Sequence, residues 1–180
     1  MGQVAGGRAE ALYKLKMMVM TALFIALGYV ATSLLVIPIP GGGYLNLGDT
    51  IVLLGAYLLG PVYGAVAGGL GPALADLLAG YGIYVPATLV IKALMGVTAA
   101  LLYRALRKKI WGAILCGGAA EAIMIAGYYL FESFLAGNLA AGLAGVPGNL
   151  IQAAFGVAAS TLLAWALKKS ALFHRQFPAF

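Results

Sequence analysis

Charged residues are scarce in this chain of 180 residues, of which only 9% are Asp, Glu, Lys or Arg. Between residues 17 and 103, tyrosines aside, the only ionisable side chains are Asp49, Asp76 and Lys92. Soluble domains carry about 25% charged residues, because their surfaces need charge throughout. With 63% hydrophobic residues, the chain is not an ordinary soluble domain. The pattern predicts a polytopic membrane protein, because charge in hydrocarbon is costly.

Cysteine and histidine are almost absent as well. The single cysteine, Cys116, excludes an internal disulfide and a cysteine metal cluster. The single histidine, His174, lies in the C-terminal tail. The sequence shows no nucleophilic triad, no metal-ligand spacing and no phosphate-binding loop. We therefore predict no metal, no cofactor, and neither catalysis nor ATP hydrolysis by this chain alone.

Basic residues are confined to a few places. Ten of the eleven Lys and Arg residues lie in the N-terminal tail, in residues 104–109 and in the C-terminal tail. The positive-inside rule places such clusters in the cytoplasm. This rule, with some attraction to anionic lipid, accounts for the formal net charge of +6. No nucleic-acid partner is predicted, because no recognition motif accompanies the charge.

The uncharged segments predict six transmembrane helices. Four are clear, at about 16–37, 86–103, 110–134 and 147–167. The residues between the first two divide at Gly60-Pro61, a turn signal, into spans of about 47–59 and 62–80. An even number of crossings keeps all three basic clusters on one side, so both termini are predicted to be cytoplasmic. The expected fold is an all-α integral membrane protein with a cytoplasmic tail at 1–15, a six-helix membrane domain at 16–168 and a cytoplasmic tail at 169–180.

Polar residues inside the membrane are the first candidates for function. Lys92 is the only cation between residues 17 and 103, so it needs a partner. Asp49 and Asp76 are both available near the outer helix ends. The sequence leaves two alternatives open: a structural Lys–Asp pair, or a donor to a bound anionic or carbonyl group.

The fifth predicted helix carries a polar stripe. Glu121, Ile125, Tyr128 and Glu132 share one face at helical spacing. Glu132 and Tyr128 lie near the outer end, where Glu132 is either a ligand group or a solvated carboxylate. Glu121 lies about 16 Å deeper at about 1.5 Å rise per residue. We predict that it is a neutral or paired structural residue.

Two further outer segments carry polar candidates. The sixth predicted helix opens with Asn149 and Gln152, each able to donate and accept hydrogen bonds, although Asn149 could instead be a helix cap. The first outer loop, residues 38–46, contains three consecutive glycines, which give it little backbone preference. It is either a connector or a mobile flap that carries Tyr44 and Asn46 over an outward-facing pocket.

Together these side chains predict a pocket for a small aromatic heterocycle. Such sites combine a mostly apolar lining with a few converging polar groups, and aromatic side chains stack on flat ligands. The predicted substrate-binding residues are Tyr44, Asn46, Tyr84, Lys92, Tyr128, Glu132, Asn149 and Gln152.

Several stretches resemble the substrate-specificity component (S component) of an energy-coupling factor (ECF) vitamin transporter. The resemblance covers nearly the whole chain and looks closest to the branch of riboflavin, hydroxymethylpyrimidine and pyridoxine carriers. The stretches that carry it are 44–49 (YLNLGD), 59–64 (LGPVYG), 68–78 (GGLGPALADLL), 86–88 (PAT) with Lys92, and 147–152 (PGNLIQ).

The resemblance implies a multi-pass protein of the prokaryotic plasma membrane that binds a vitamin at its outer side and is not an enzyme. Its partners would be a transmembrane coupling subunit, which docks two cytoplasmic ATPases. Carried over to this chain, the helix-1 alanine motif for that coupling subunit falls on Ala22 and Ala26, which also form a small-xxx-small pair. Both tryptophans, Trp111 and Trp165, lie on the predicted cytoplasmic side, which departs from the thiamine-binding pattern.

The ligand expected from the resemblance is a small aromatic, water-soluble vitamin or precursor. We place hydroxymethylpyrimidine or pyridoxine ahead of riboflavin. The alternative function is a stand-alone small-solute carrier or channel without an ATPase module. Such a protein would need a continuous polar path, whereas the inner halves of the first, third and sixth predicted helices are mostly small and apolar.

Overall fold

A computed structural model describes residues 2–34, 36–38, 44–106 and 109–170. Its helices lie close to the predicted segments, and the all-α membrane class is confirmed. In chain order the elements are α1 (Gly2–Ser33), β1 (Val36–Pro38), β2 (Tyr44–Asn46), α2 (Gly48–Leu59), α3 (Pro61–Leu78), α4 (Val85–Ala105), α5 (Ile110–Ala136), α6 (Leu139–Gly142) and α7 (Val146–Lys168).

Helix α1 differs from its predicted bounds at both ends. It begins at Gly2 rather than near residue 16, so most of the predicted N-terminal tail is helical. The Glu10 carboxylate and the Lys14 ammonium, four residues apart, form an ion pair of 2.6 Å that favours the helix. At its other end α1 stops at Ser33, because Val36–Pro38 pairs antiparallel with Tyr44–Asn46. The first outer loop is therefore anchored by a short ribbon, with residues 39–43 outside the described part.

Helix α2 is short and enclosed by its neighbours. Its 12 residues rise about 18 Å at about 1.5 Å per residue, less than the roughly 30 Å of a hydrocarbon core. Val52, Leu53 and Ala56 are at most 2% exposed. A helix that ends at membrane depth is tolerated where other helices surround it. Within the described ranges, four other helical segments are long and apolar enough to cross a membrane: Glu10–Ser33, Val85–Ala105, Ile110–Ala136 and Leu139–Lys168.

A tight turn folds α3 back onto α2, as the Gly60-Pro61 pair predicts. Gly60 has a φ of 83°, a conformation that other residues rarely adopt, and Pro61 begins α3. The number of crossings and the cytoplasmic placement of both termini remain predictions, as does the division of the chain into two tails and a membrane domain.

Small residues bring α3 close to its neighbours on two sides. A Cβ at Gly71 would lie 2.9 Å from the backbone oxygen of Ile25 in α1. A Cβ at Gly96 in α4 would lie 2.8 Å from the backbone oxygen of Gly64 in α3. Close backbone approach is how helices associate in lipid, where burial of apolar side chains gives little driving force. This packing positions the polar ends of α3 and α4 next to each other.

Candidate ligand-binding site

A cavity of about 510 Å³ opens at one end of the helix bundle. It lies where α1, α3 and α5 end and where α2, α4 and α7 begin, away from the basic residues Arg104, Lys109 and Lys168. Its volume is within the range of about 300–1,000 Å³ that is typical of small-molecule sites. The cavity is lined by Thr32, Asn46, Asp49, Pro72, Asp76, Tyr81, Tyr84, Thr88, Lys92, Tyr128, Glu132, Ala144, Gly145, Gly148, Asn149 and Gln152.

Seven of the eight predicted substrate-binding residues line this cavity. They come from β2, from α4, α5 and α7, and from the turn before α4: Asn46, Tyr84, Lys92, Tyr128, Glu132, Asn149 and Gln152. The backbone of Tyr44 belongs to β2, but its side chain lies outside the described part. Residues that are far apart in sequence therefore line the same cavity. Their roles in binding remain a proposal.

Lys92 forms an ion pair with Asp49 at the base of the cavity. Both side chains are almost fully buried, with residue exposures of 4% and 1%. The sequence left open whether Lys92 pairs with an aspartate or binds a ligand. In the structure Lys92 pairs with an aspartate, and that aspartate is Asp49 rather than Asp76. The Lys92 ammonium also lies 5.5 Å from the ring centre of Tyr128, a favourable cation–π distance.

A chain of oriented hydrogen bonds joins this ion pair to the β-ribbon. The Gln152 amide nitrogen donates to Asp49 Oδ2 at 2.7 Å. The Asn46 amide nitrogen donates to Gln152 Oε1 at 3.3 Å, and the backbone N–H of Gly48 donates to Asn46 Oδ1 at 2.8 Å. Neither Asn46 nor Gln152 can therefore turn over without losing a bond. The network ties β2, α2, α4 and α7 together beneath the cavity.

A second polar group joins α3, α4 and α5. The Thr88 hydroxyl donates to Asp76 Oδ2 at 2.5 Å, because a carboxylate can only accept. Thr88 Oγ1 and the Tyr128 hydroxyl are 2.9 Å apart. The Thr88 hydroxyl has a single proton, which it donates to Asp76. The Tyr128 hydroxyl is therefore the donor in its hydrogen bond with Thr88 Oγ1. Asp76 thus orients two hydroxyl groups of the cavity wall.

Glu132 faces the cavity from α5, where it is half-buried. A Cβ at Gly145 would collide with its carboxylate, so the segment before α7 can carry no side chain there without moving Glu132. Tyr84 lies close by and packs edge-on against the ring of Phe131, with 5.4 Å between ring centres. Burial, together with the charges of Glu132 and Asp76, raises the pKa of the Tyr84 hydroxyl, which stays a protonated donor at neutral pH.

Two residues noted in the sequence as partners for Lys92, Asp49 and Asp76, prove to be part of the cavity wall. Thr88 was not singled out. It lies four residues before Lys92, and that spacing puts the two side chains on one face of α4. A search for polar residues one turn from an intramembrane lysine would have found it. Pro72 and Gly148 lie in two of the stretches that carry the family resemblance, whereas Thr32, Tyr81, Ala144 and Gly145 had no comparable signal.

Glu121 lies in the core and does not line the cavity. It is 2% exposed, and neither carboxyl oxygen has a hydrogen-bond partner among the described residues. A buried carboxylate without a partner costs so much that the group takes up a proton instead. Of the two predicted forms, neutral or paired, this environment favours the neutral acid.

Ala22 and Ala26 lie on an exposed face of α1, one turn apart. Leu23 and Leu27 beside them are 49% and 41% exposed. Neither alanine is among the residues that line the cavity. Their face of α1 is available to lipid or to a partner helix.

The fold and the cavity define a class: a polytopic α-helical membrane protein with a cavity of about 510 Å³ at one end of the bundle. Comparison with known proteins identifies the family. A family model described as "ECF-type riboflavin transporter, S component" matches residues 13–169. The chain therefore belongs to the S components of ECF transporters, as its sequence stretches suggest.

One relative is an uncharacterised protein of Pyrococcus woesei, described as "Uncharacterized protein in gap 3'region". It is 36% identical over 141 residues, which cover 78% of this chain and 93% of that protein. Membership of the family makes the chain a vitamin-binding transport subunit of the plasma membrane rather than an enzyme, and one that associates with an ECF module.

Proposed function

We propose that this S component captures a small aromatic, water-soluble vitamin or vitamin precursor at the outer face of the membrane. The observation that carries the proposal is the cavity itself, which brings the seven predicted side chains together from five separate segments. It lies at the end of the bundle opposite Arg104, Lys109 and Lys168. If these basic residues are cytoplasmic, as the positive-inside rule requires, the cavity faces outward.

The ligand that we place first is hydroxymethylpyrimidine or pyridoxine. Both are single flat rings that Tyr84 and Tyr128 could stack against, with substituents for Asn149 and the carboxylates to bind. Riboflavin is the second candidate, supported by the description of the matching family model and by a cavity volume of about 510 Å³. Such a volume would hold a larger ring system as well as a single ring.

A binding panel tests this order. Purified protein in detergent is titrated by calorimetry with hydroxymethylpyrimidine, pyridoxine and riboflavin, after mass spectrometry of any ligand retained during purification. We expect one of the two single-ring compounds to bind at least ten-fold more tightly than riboflavin. Tightest binding by riboflavin would reverse the order and keep the vitamin proposal. If no compound of the three binds and none is retained, the proposal of a small aromatic vitamin is wrong.

We further propose that the ECF module consists of a transmembrane coupling subunit and two cytoplasmic ATPases, and that the Ala22–Ala26 face of α1 contacts the coupling subunit. The small side chains of that face permit close approach of a partner helix. Its exposure in the isolated chain leaves it free for this contact.

Replacing Ala26 with tryptophan should abolish copurification with the coupling subunit, because the indole prevents close helix approach. Vitamin binding should be unchanged, since Thr32 is the only described side chain of α1 that lines the cavity. Leu94→Trp is the matched control: Leu94 is 49% exposed on α4, and its replacement should preserve both properties. Association that survives Ala26→Trp would exclude this interface, and loss of both properties would indicate a folding defect.

The alternative, a stand-alone carrier or channel, would need a polar path through the bundle. The described interior contains the apolar side chains of Leu53, Met95 and Met124, each with 0% exposure, alongside the buried polar side chains of Glu121 and Ser160. Copurification with an ATPase module would favour the S-component mechanism over this alternative.

A further inference from the structure

We infer that the cavity selects a positively charged aromatic ligand, or one that presents an amidine-like N–H edge, and that Asp76 and Glu132 determine this specificity. The inference rests on the proposed binding function of the cavity and adds the charge of its ligand. The site itself is defined by the cavity and its aromatic lining; the carboxylates decide only which chemistry it accepts.

The first step concerns Asp49, whose charge is already balanced. Lys92 binds one of its carboxylate oxygens, and Gln152 donates to the other. Asp49 is 1% exposed, so a ligand has little access to it. The Lys92 ammonium is likewise already paired, with Asp49. Among the described residues that line the cavity, Lys92 is the only Lys or Arg. The pair therefore contributes no net charge to the site.

The second step concerns the two carboxylates that remain. Asp76 and Glu132 are half-buried in the cavity wall, and neither forms an ion pair with a described residue. Thr88 donates to one oxygen of Asp76, which leaves Oδ1 without a hydrogen-bond partner among the described residues. With the charges of Lys92 and Asp49 balancing each other, the described lining carries a formal charge of about −2 from Asp76 and Glu132, in a place where water screens charge weakly.

The third step concerns the donors that could have satisfied an anionic ligand. The Tyr128 proton is directed to Thr88, and the Thr88 proton is directed to Asp76. Both protons point along the wall rather than toward a ligand. Tyr128 lines the cavity, and with its proton directed to Thr88 it retains an aromatic ring and oxygen lone pairs, which attract cations. An anionic ligand would still find the Tyr84 hydroxyl and the Asn149 amide, but among the described lining residues it would meet two carboxylates and no Lys or Arg that is not already paired.

These features fit a flat ring that carries an amino group next to a ring nitrogen, or a protonated ring nitrogen. A carboxylate can bind such an edge through two parallel hydrogen bonds, which are stronger when one partner is charged. Aminopyrimidines and protonated pyridines have this edge. The flavin ring, whose pyrimidine portion presents carbonyl oxygens beside its single N–H, would bring acceptors toward Asp76 and Glu132.

The test uses two probes of the same shape, benzamidinium and benzamide, of which only the first is a cation. Binding to the purified full chain is measured by calorimetry and by the shift in thermal unfolding. We expect benzamidinium to bind at least ten-fold more tightly than benzamide. Asp76→Asn and Glu132→Gln should each reduce this preference several-fold, whereas Asp76→Glu, which keeps the charge, should retain most of it.

Glu10→Gln is the matched control, because it removes a carboxylate from the exposed part of α1, away from the cavity. It should leave the preference for benzamidinium unchanged. Equal binding of the two probes by the parent protein, failure of both to bind, or a preference that survives both Asp76→Asn and Glu132→Gln would overturn the inference. Binding of a vitamin without any preference for charge would overturn the inference alone. A preference for benzamidinium without binding of any tested vitamin would overturn the proposed function alone.

Discussion

Replacing Lys92 with methionine is expected to weaken vitamin binding roughly ten- to a hundred-fold, as measured by calorimetry. A ten- to a hundred-fold loss corresponds to about 1.4–2.8 kcal/mol in binding free energy, and it would be indirect, because Lys92 is paired with Asp49 rather than with the ligand. The effect reaches the ligand through the base of the cavity. Without the ammonium group, Asp49 loses its partner, and the bonds from Asp49 to Gln152 and Asn46 lose their anchor.

The same substitution should lower the thermal stability of the protein in detergent. Asp49 would remain 1% exposed with an uncompensated charge, and breaking a buried ion pair in this way costs about 3–5 kcal/mol. The double variant Lys92→Met with Asp49→Asn is the control. It buries no unpaired charge, and the asparagine can still accept from Gln152.

The double variant should be more stable than Lys92→Met alone. If the two stabilities are equal, the unpaired Asp49 carboxylate does not destabilise Lys92→Met, and the expected charge penalty is absent. If Lys92→Met binds the vitamin as tightly as the parent, the Asp49 network does not support the site.

Replacing Gly71 with valine is expected to prevent assembly of the bundle, or to destabilise it by more than about 3 kcal/mol, at or beyond the upper end of ordinary overpacking. A Cβ at this position would lie 2.9 Å from the oxygen of Ile25 and 3.1 Å from the Cα of Gly28, both backbone atoms of α1. Backbone atoms cannot rotate away as side chains can. Helices α1 and α3 would have to separate, and Pro72 and Asp76, which follow on α3, would leave the cavity wall.

Gly118→Val provides the control for that prediction. Gly118 is exposed on α5, and a Cβ there meets nothing within 4 Å. Its replacement should change stability by no more than about 0.5 kcal/mol, as for most surface positions. Size-exclusion profiles and unfolding temperatures in detergent would compare the two variants. Equal stability of Gly71→Val and the parent would show that close approach of α1 and α3 is not required.

The positions of the helices could be predicted because each depends on local composition. A segment without charge that is long enough to cross the bilayer is recognisable from its own residues, and α4, α5 and α7 lie close to their predicted bounds. The Gly60-Pro61 turn was predictable for the same reason. The ribbon of Val36–Pro38 with Tyr44–Asn46 was not, because pairing of two three-residue strands leaves almost no pattern in the sequence.

The identity of the residues that line the cavity was largely predictable as well. A polar side chain inside a membrane is costly and is kept where it pairs with another or faces a cavity. Seven of the eight predicted residues accordingly line one cavity. Listing them required only their residue types and their places near one end of the helices.

The sequence by itself thus determined the membrane class, the helical segments and the polar residues available to a ligand. Only the tertiary structure decided how those residues are paired. Asp49 and Asp76 were equal partners for Lys92 by sequence, since both lie near the same end of the bundle. Packing puts the Lys92 ammonium against Asp49 and the Thr88 hydroxyl against Asp76. Pairing depends on distances of a few ångström between helices, and those are set by the contacts of the whole bundle rather than by any one segment.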